Sequence, residues 1–183
     1  MLGLVILGNG FEVSEAIVPL DYLFRAGIKV DKVSVHEDKV VTSQEGIKVI
    51  ADKLLKDIDL SLYDFLFIPG GKASFTVLDK IDYLNEVIAY FFENNKLVVS
   101  ICAAPFLLGR LSYLKDKNYT CFPSFEKYVI GGNYLKDEGV VKDKNVITAK
   151  SVYYATPFAL EIIEALLGKD KRDQVEAQIK AEN

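Results

Sequence analysis

The chain has 183 residues, half of them hydrophobic and 26% charged, with a formal net charge of −4. That is the composition of a globular protein, and the length suits a single domain, residues 1–183, whose core can fold unaided. An acidic balance argues against nucleic acid as the main partner, and no apolar run reaches the roughly 20 residues that cross a bilayer.

The opening MLGLVILGNG lacks a charged leader and a cleavage site, and reads as a first strand, so the expected location is cytoplasmic. Leu4 to Leu7 is wholly apolar, as in a buried parallel strand. SEAIVPLDYLFRAG follows, with Ile17, Leu20, Leu23 and Phe24 at helical spacing and Gly27 as the C-cap. IKVDKVSV is the next strand, and KVVTSQEGIKVIAD predicts two short strands around Glu45-Gly46. YDFLFIPGG is a buried strand ending in a double-glycine turn. DKIDYLNEVIAYFFENN is an amphipathic helix striped by Ile81, Leu84, Val87, Ile88 and Phe91. KLVVSIC is a further buried strand. After it come a helix over APFLLGRLSYL, strands near YTCF and NVITA, and a helix from about Thr156 to Leu167. The mixed-charge tail, GKDKRDQVEAQIKAEN, reads as a solvated terminal helix or a fraying end. Alternating strands and helices imply βαβ crossovers and a mostly parallel sheet covered on both faces.

Cys102 and Cys121 are too few for a disulfide framework, so both are expected as free thiols in a reducing compartment. His36 is the single histidine, which excludes a His-based metal site and leaves no other partner for a Cys–His or Ser–His pair. GNG at Gly8 to Gly10 opens like a dinucleotide fingerprint, but Val13 occupies the third glycine position. No metal or cofactor is expected.

Ligands of open α/β sheets gather at the carboxyl ends of the strands. Glu12 to Glu15, Gly70-Gly71 and Cys102 all fall there. A strand-to-helix turn puts Cys102 at a helix N-terminus, where unpaired N–H groups and the dipole favour an anion and should lower the thiol pKa. Ala103 and Ala104 let the chain turn sharply, and Pro105 suits the first helical turn. A free cysteine at the end of an apolar strand can equally be a packed core sulfur. Likewise Glu15 can be a solvated helix-start carboxylate. The residues alone leave both pairs of readings open.

LVILGNGFEVSEAIVPLDYLFRAGIKV, YDFLFIPGG, SICAAP and FALEIIEALLGK resemble, in order and spacing, the ThiJ/PfpI family of the class I glutamine amidotransferase-like superfamily, and within it the branch of the parkinsonism-associated deglycase. The resemblance implies a flavodoxin-like, three-layer α/β sandwich, a homodimer, and a reactive elbow cysteine beside a glutamate of the first helix. By position these are Cys102 and Glu15, with an anion pocket from the backbone amides of Gly71 and Ala103. A carboxyl beside a thiolate should stay protonated and can donate to sulfur or act as general acid or base. Pro19, lacking an N–H, leaves the Glu15 carbonyl without its i+4 donor.

Many relatives place a histidine directly after the cysteine or on the strand after the elbow helix. Here those positions are Ala103 and Phe122, and His36 ends an earlier strand. Any activation must therefore come from the turn and from Glu15. The absence of an imidazole disfavours a peptidase, which needs a base for sulfur and an acid for the leaving amine. Relatives also carry a glycine- and proline-rich loop where this chain has AKSVYYATP, so Tyr153 and Tyr154 either narrow the pocket or pack on the surface. Two functions share the remaining residues. One is cofactor-independent glyoxalase or deglycase chemistry on small reactive carbonyls; the other is an oxidation-sensitive redox sensor or chaperone of a stress response, acting through a protein partner. The missing histidine favours oxidation-sensitive Cys102 as the main property, with weak carbonyl chemistry alongside. Thiazole-phosphate biosynthesis, an old label of the family, finds no phosphate loop here. Cys121 is expected as a buried strand thiol.

Overall fold

The protein is described by a computed structural model over residues 1–182. Its elements in chain order are β1 (Leu2–Leu7), α1 (Val13–Arg25), β2 (Lys29–Ser34), β3 (Val40–Thr42), β4 (Lys48–Ile50), β5 (Lys53–Leu54), β6 (Phe65–Ile68), α2 (Ala73–Thr76) and α3 (Asp82–Glu93). They continue with β7 (Leu97–Ile101), α4 (Pro105–Arg110), β8 (Asn118–Tyr119), β9 (Asn133–Tyr134), β10 (Val140–Asp143), β11 (Val146–Ala149), α5 (Ala155–Leu167) and α6 (Lys169–Lys180).

Seven strands form the central sheet in the order β10-β11-β7-β6-β1-β2-β5. All neighbours are parallel except β10, which pairs antiparallel with β11 at the edge. The inner strands are continuous apolar runs because both faces of the sheet are covered, so no alternation is needed. Leu4 to Leu7, Phe65 to Ile68, Val98 and Val99 are fully buried.

From β1 the chain crosses to β2 through α1. From β6 it crosses the opposite way, to β7, through α3. Right-handed crossovers running in opposite directions put α1 and α3 on opposite faces. Helices α5 and α1 pack together, α6 packs on α5, and α3 lies against β6 and β7. The result is the flavodoxin-like sandwich the resemblance implies. The crossover direction reverses between β1 and β6, so a crevice opens at their carboxyl ends. There the loops are joined by a backbone bridge between Phe11 and Gly71.

Two local expectations are corrected, and one alternative is decided. Of YTCF only Tyr119 lies in a strand, the two-residue β8 paired with β9 outside the main sheet, because the Thr120 N–H bonds the Thr148 side-chain Oγ1 of β11 and not a backbone carbonyl. The elbow helix stops at Arg110, short of Leu114. The tail does form a helix, α6, anchored by buried Val175. Among the described residues no helix is long and apolar enough to cross a membrane.

Candidate active site

Cys102 lies between β7 and α4 with φ of +63°, the left-handed region that a residue with a Cβ seldom adopts. Such a conformation costs on the order of 1–3 kcal/mol and persists only where the surroundings over-determine it. Here they do. The Cys102 N–H donates to the Ala149 carbonyl at 2.8 Å, and the Cys102 carbonyl accepts from the Phe122 N–H at 2.7 Å. The Ala104 N–H closes the turn on the Ile101 carbonyl at 3.1 Å. The side chain is thereby lifted off the strand, and the residue is half-buried rather than packed away.

Glu15 comes from the first turn of α1 and is 1% exposed. The start of that helix is held by two other carboxylates. Glu12 caps it, accepting from the Ser14 N–H at 3.2 Å and the Glu15 N–H at 2.7 Å. Glu45, at the tip of the β3–β4 hairpin, accepts from the Val13 N–H at 3.3 Å. Free N–H groups and the helix dipole explain why two acids gather there. Pro19 sits inside α1, which nonetheless runs on to Arg25.

Gly70 separates Glu15 from Cys102. A Cβ at position 70 would lie 2.3 Å from Glu15 Oε2 and 2.7 Å from Cys102 Cβ, so only glycine lets the two side chains meet. Gly71 takes φ of +89°, and a Cβ there would sit 2.4 Å from the Glu12 nitrogen. The N–H groups of Gly71 and Ala103 act on the Cys102 sulfur in the sense that favours thiolate. Glu15, Cys102, Gly71 and Ala103 are thus brought to one point.

Burial pushes the Glu15 carboxyl from the usual carboxylate range up to about 8, with Glu12 and Glu45 adding repulsion and the Cys102 thiol and Gly70 N–H opposing it. Glu15 Oε2 is buried without a hydrogen-bond partner. The direction for Cys102 corrects the expectation of a lowered thiol pKa. Burial and then the Glu15 carboxyl push it up, outweighing the Ala103 and Gly71 amides. The elbow supplies anion-stabilising donors, but the dry setting dominates while Glu15 is ionised. With Glu15 protonated the repulsion vanishes and the carboxyl becomes a further donor to sulfur. The two acids titrate as one coupled site.

His36 does not enter this site. Its Nε2 accepts the Asn9 N–H at 2.9 Å and pins the loop after β1. Cys121 is fully buried, and burial with nearby Glu126 pushes its thiol up to about 12. Tyr153 is 82% exposed, while Tyr154 covers Gly139, where a Cβ would come within 2.0 Å of its ring. Among the described residues, no group of three or more His, Cys, Asp or Glu is placed to hold a metal ion.

The part that the sequence does not show is the position of the expected β3–β4 hairpin. It folds over the site through Gln44, whose N–H donates to the Phe11 carbonyl at 2.9 Å and whose Oε1 accepts the Lys72 N–H at 3.2 Å. The Glu45-Gly46 turn signals a hairpin, but nothing in its spacing signals where the hairpin lies.

A strained cysteine elbow at the switch point of a doubly wound sheet, facing a buried glutamate, defines an α/β protein of the elbow-cysteine class. The model of the DJ-1/PfpI family matches residues 3–165, and the chain belongs to that family. It is similar to Protein dj-1beta of Drosophila melanogaster, at 31% identity over 94% of this chain and 92% of the relative. The Parkinson disease protein 7 homolog of Danio rerio is 30% identical over 96% of this chain and 95% of its own. Among solved structures, a Cys-to-Ala mutant of a DJ-1 superfamily protein from Salmonella typhimurium aligns with a TM-score of 0.91 at 32% identity, covering 100% of this chain and 98% of that one.

Proposed function

We propose that this chain is a reactive-cysteine protein of the stress-response kind, in which Cys102 adds to small reactive carbonyls such as methylglyoxal without a cofactor. One observation carries the reading: a carboxyl held near 8 by burial stands against a thiol. General acid–base catalysis is most efficient when the pKa lies near working pH. As sulfur attacks the aldehyde carbon, the Gly71 and Ala103 amides stabilise the charge that develops, in the manner of an oxyanion hole. Glu15 moves the proton between the two carbons, and water cleaves the resulting thioester, restoring the thiol and releasing a 2-hydroxyacid. Lactate formation from methylglyoxal is expected for the wild type, with a fall of at least ~100-fold in Cys102→Ser and Glu15→Gln. A Cys102→Ser rate equal to wild type would sink the enzyme reading.

A second reading, oxidation sensing, is favoured by the unpartnered Glu15 Oε2, which could accept the O–H of a sulfenic acid on Cys102. Its mark is selectivity: mild peroxide should add oxygen to half-buried Cys102 and spare buried Cys121. Equal oxidation of the two would end it.

The homodimer belongs to the same reading. Helix α1 and β2 frame an open groove of about 660 Å³ that includes Ile17, Leu20, Phe24, Ile28 and Val30. Phe24 is 80% and Ile17 40% exposed on the helix that carries Glu15. Large apolar side chains grouped this way fit a self-complementary contact. Wild type should sediment as a dimer and Phe24→Glu as a monomer, whereas an unchanged dimer in the variant would place the contact elsewhere.

A further inference from the structure

A second cavity, of about 530 Å³, is walled by Phe75, Asp79, Phe106, Arg110, Phe125 and Tyr128. That volume lies within the range of small-molecule sites. Its rings form a connected set, with Phe75–Phe125 and Phe125–Phe106 centroids both 5.6 Å apart and Phe106–Tyr128 5.9 Å apart. The walls are continuations of three segments that meet at Cys102. Phe106 follows Cys102 by four residues, about 6 Å of helix rise. Phe75 follows Gly71 by four residues. Phe125 follows Phe122 by three, and the Phe122 N–H is bonded to the Cys102 carbonyl.

The single cation in the wall is already offset. Arg110 Nε lies 2.9 Å from Asp79 Oδ1, and its Nη2 donates to Asn85 Oδ1 at 2.7 Å. A charged ring therefore gains little here, whereas a neutral aromatic ring gains edge and face contacts on several sides. Phe75 and Tyr128 keep 44% and 51% of their surface exposed, so the cavity is open to entry.

We infer that this cavity seats the neutral aryl group of an aryl 2-oxoaldehyde whose aldehyde carbon meets Cys102. This rests on the carbonyl reading of the Cys102 site. The thiol sulfur adds to the aldehyde carbon and the aldehyde oxygen takes the proton, giving a hemithioacetal. The hydrogen on that carbon then passes through Glu15, as a proton, to the adjacent carbon, and the hemithioacetal hydroxyl proton passes to the former ketone oxygen. The former aldehyde carbon is thereby oxidised to a thioester and the former ketone carbon reduced to an alcohol. Water cleaves the thioester, restoring the thiol and releasing a 2-hydroxy-2-arylacetate. The net change is one water added, with no external oxidant or reductant.

The test compares initial rates with phenylglyoxal and methylglyoxal, taken before the dicarbonyls modify arginines. Wild type should favour phenylglyoxal by about 10-fold in kcat/KM, the size of one good aromatic contact. Phe125→Leu and the half-exposed Tyr128→Ala should each lower that value about 3- to 10-fold through KM, leaving methylglyoxal turnover unchanged. Equal kcat/KM for the two substrates, or variants that lose both activities in parallel, would overturn the aryl assignment alone. Turnover of neither substrate by wild type would overturn the carbonyl reading itself, and the aryl assignment with it.

Discussion

Glu15→Gln should gain stability over the wild type as pH rises, by about 2–5 kcal/mol between about pH 5 and pH 8. The Glu15 carboxyl has an ordinary pKa of 4.5 in the unfolded chain and about 8 in the fold, raised first by burial. Between those values the native state holds a proton that the unfolded state has released. Unfolding therefore releases a proton, and stability falls as pH rises through the window. Below about 4.5 both states are protonated and the penalty is absent; above about 8 it is fully present. Gln has the same shape and does not titrate, so the variant lacks this slope. Glu12, whose carboxyl is also raised by burial, is present in both proteins, so its own burial contribution cancels and only its repulsion with Glu15 stays in the difference. Urea unfolding at several pH values measures it. A wild-type-minus-variant difference that stays flat from pH 5 to 8 would mean that Glu15 is ionised throughout, and the proton-shuttle role would fall with it.

The legible parts of this protein are those where one physical requirement dominates a stretch of chain. LVIL, FLFI and LVVSI read as buried strands, because no charge interrupts them, Ser100 is their one polar residue, and each is bounded by a turn signal. Their carboxyl ends fall together in any doubly wound sheet, which is why the sequence alone groups Glu15, Gly71 and Cys102. The edge strand β10 was missed because VVKD is half polar and turns back at Lys144, a left-handed residue with φ of 54° that no glycine announces. YTCF looked like a strand because its residue types suit one; its actual partners are the Thr148 side chain and the Cys102 carbonyl, both distant in sequence. The direction of the Cys102 pKa was illegible for a similar reason. Helix N-termini can be read from a sequence, whereas desolvation is set by everything that packs around the sulfur. The resemblance supplied the pairing of Glu15 with Cys102. Gly70, the residue that permits that pairing, shows in the sequence only as half of a turn.

Gly70→Ala tests that permission most directly. Its Cβ would stand 2.3 Å from Glu15 Oε2, 2.7 Å from Cys102 Cβ and 2.8 Å from the Ile101 carbonyl oxygen. The carboxyl could swing aside, but the Ile101 carbonyl belongs to β7 and Cys102 is pinned at both its N–H and its carbonyl. The methyl must therefore drive Glu15 away from the sulfur. Overpacking of this kind costs about 1–3 kcal/mol, and a displacement near 1 Å in a catalytic pair costs on the order of 100-fold in rate. Gly27→Ala is the control. That glycine has φ of +81° and nothing within 4 Å of an added Cβ, so alanine meets backbone strain alone. Iodoacetamide alkylation of Cys102 followed against pH reads the coupling. Wild type and Gly27→Ala should share one inflection near the Glu15 value, and Gly70→Ala should lose it together with turnover. A Gly70→Ala protein with the wild-type alkylation profile would show that Glu15 and Cys102 do not act as a pair.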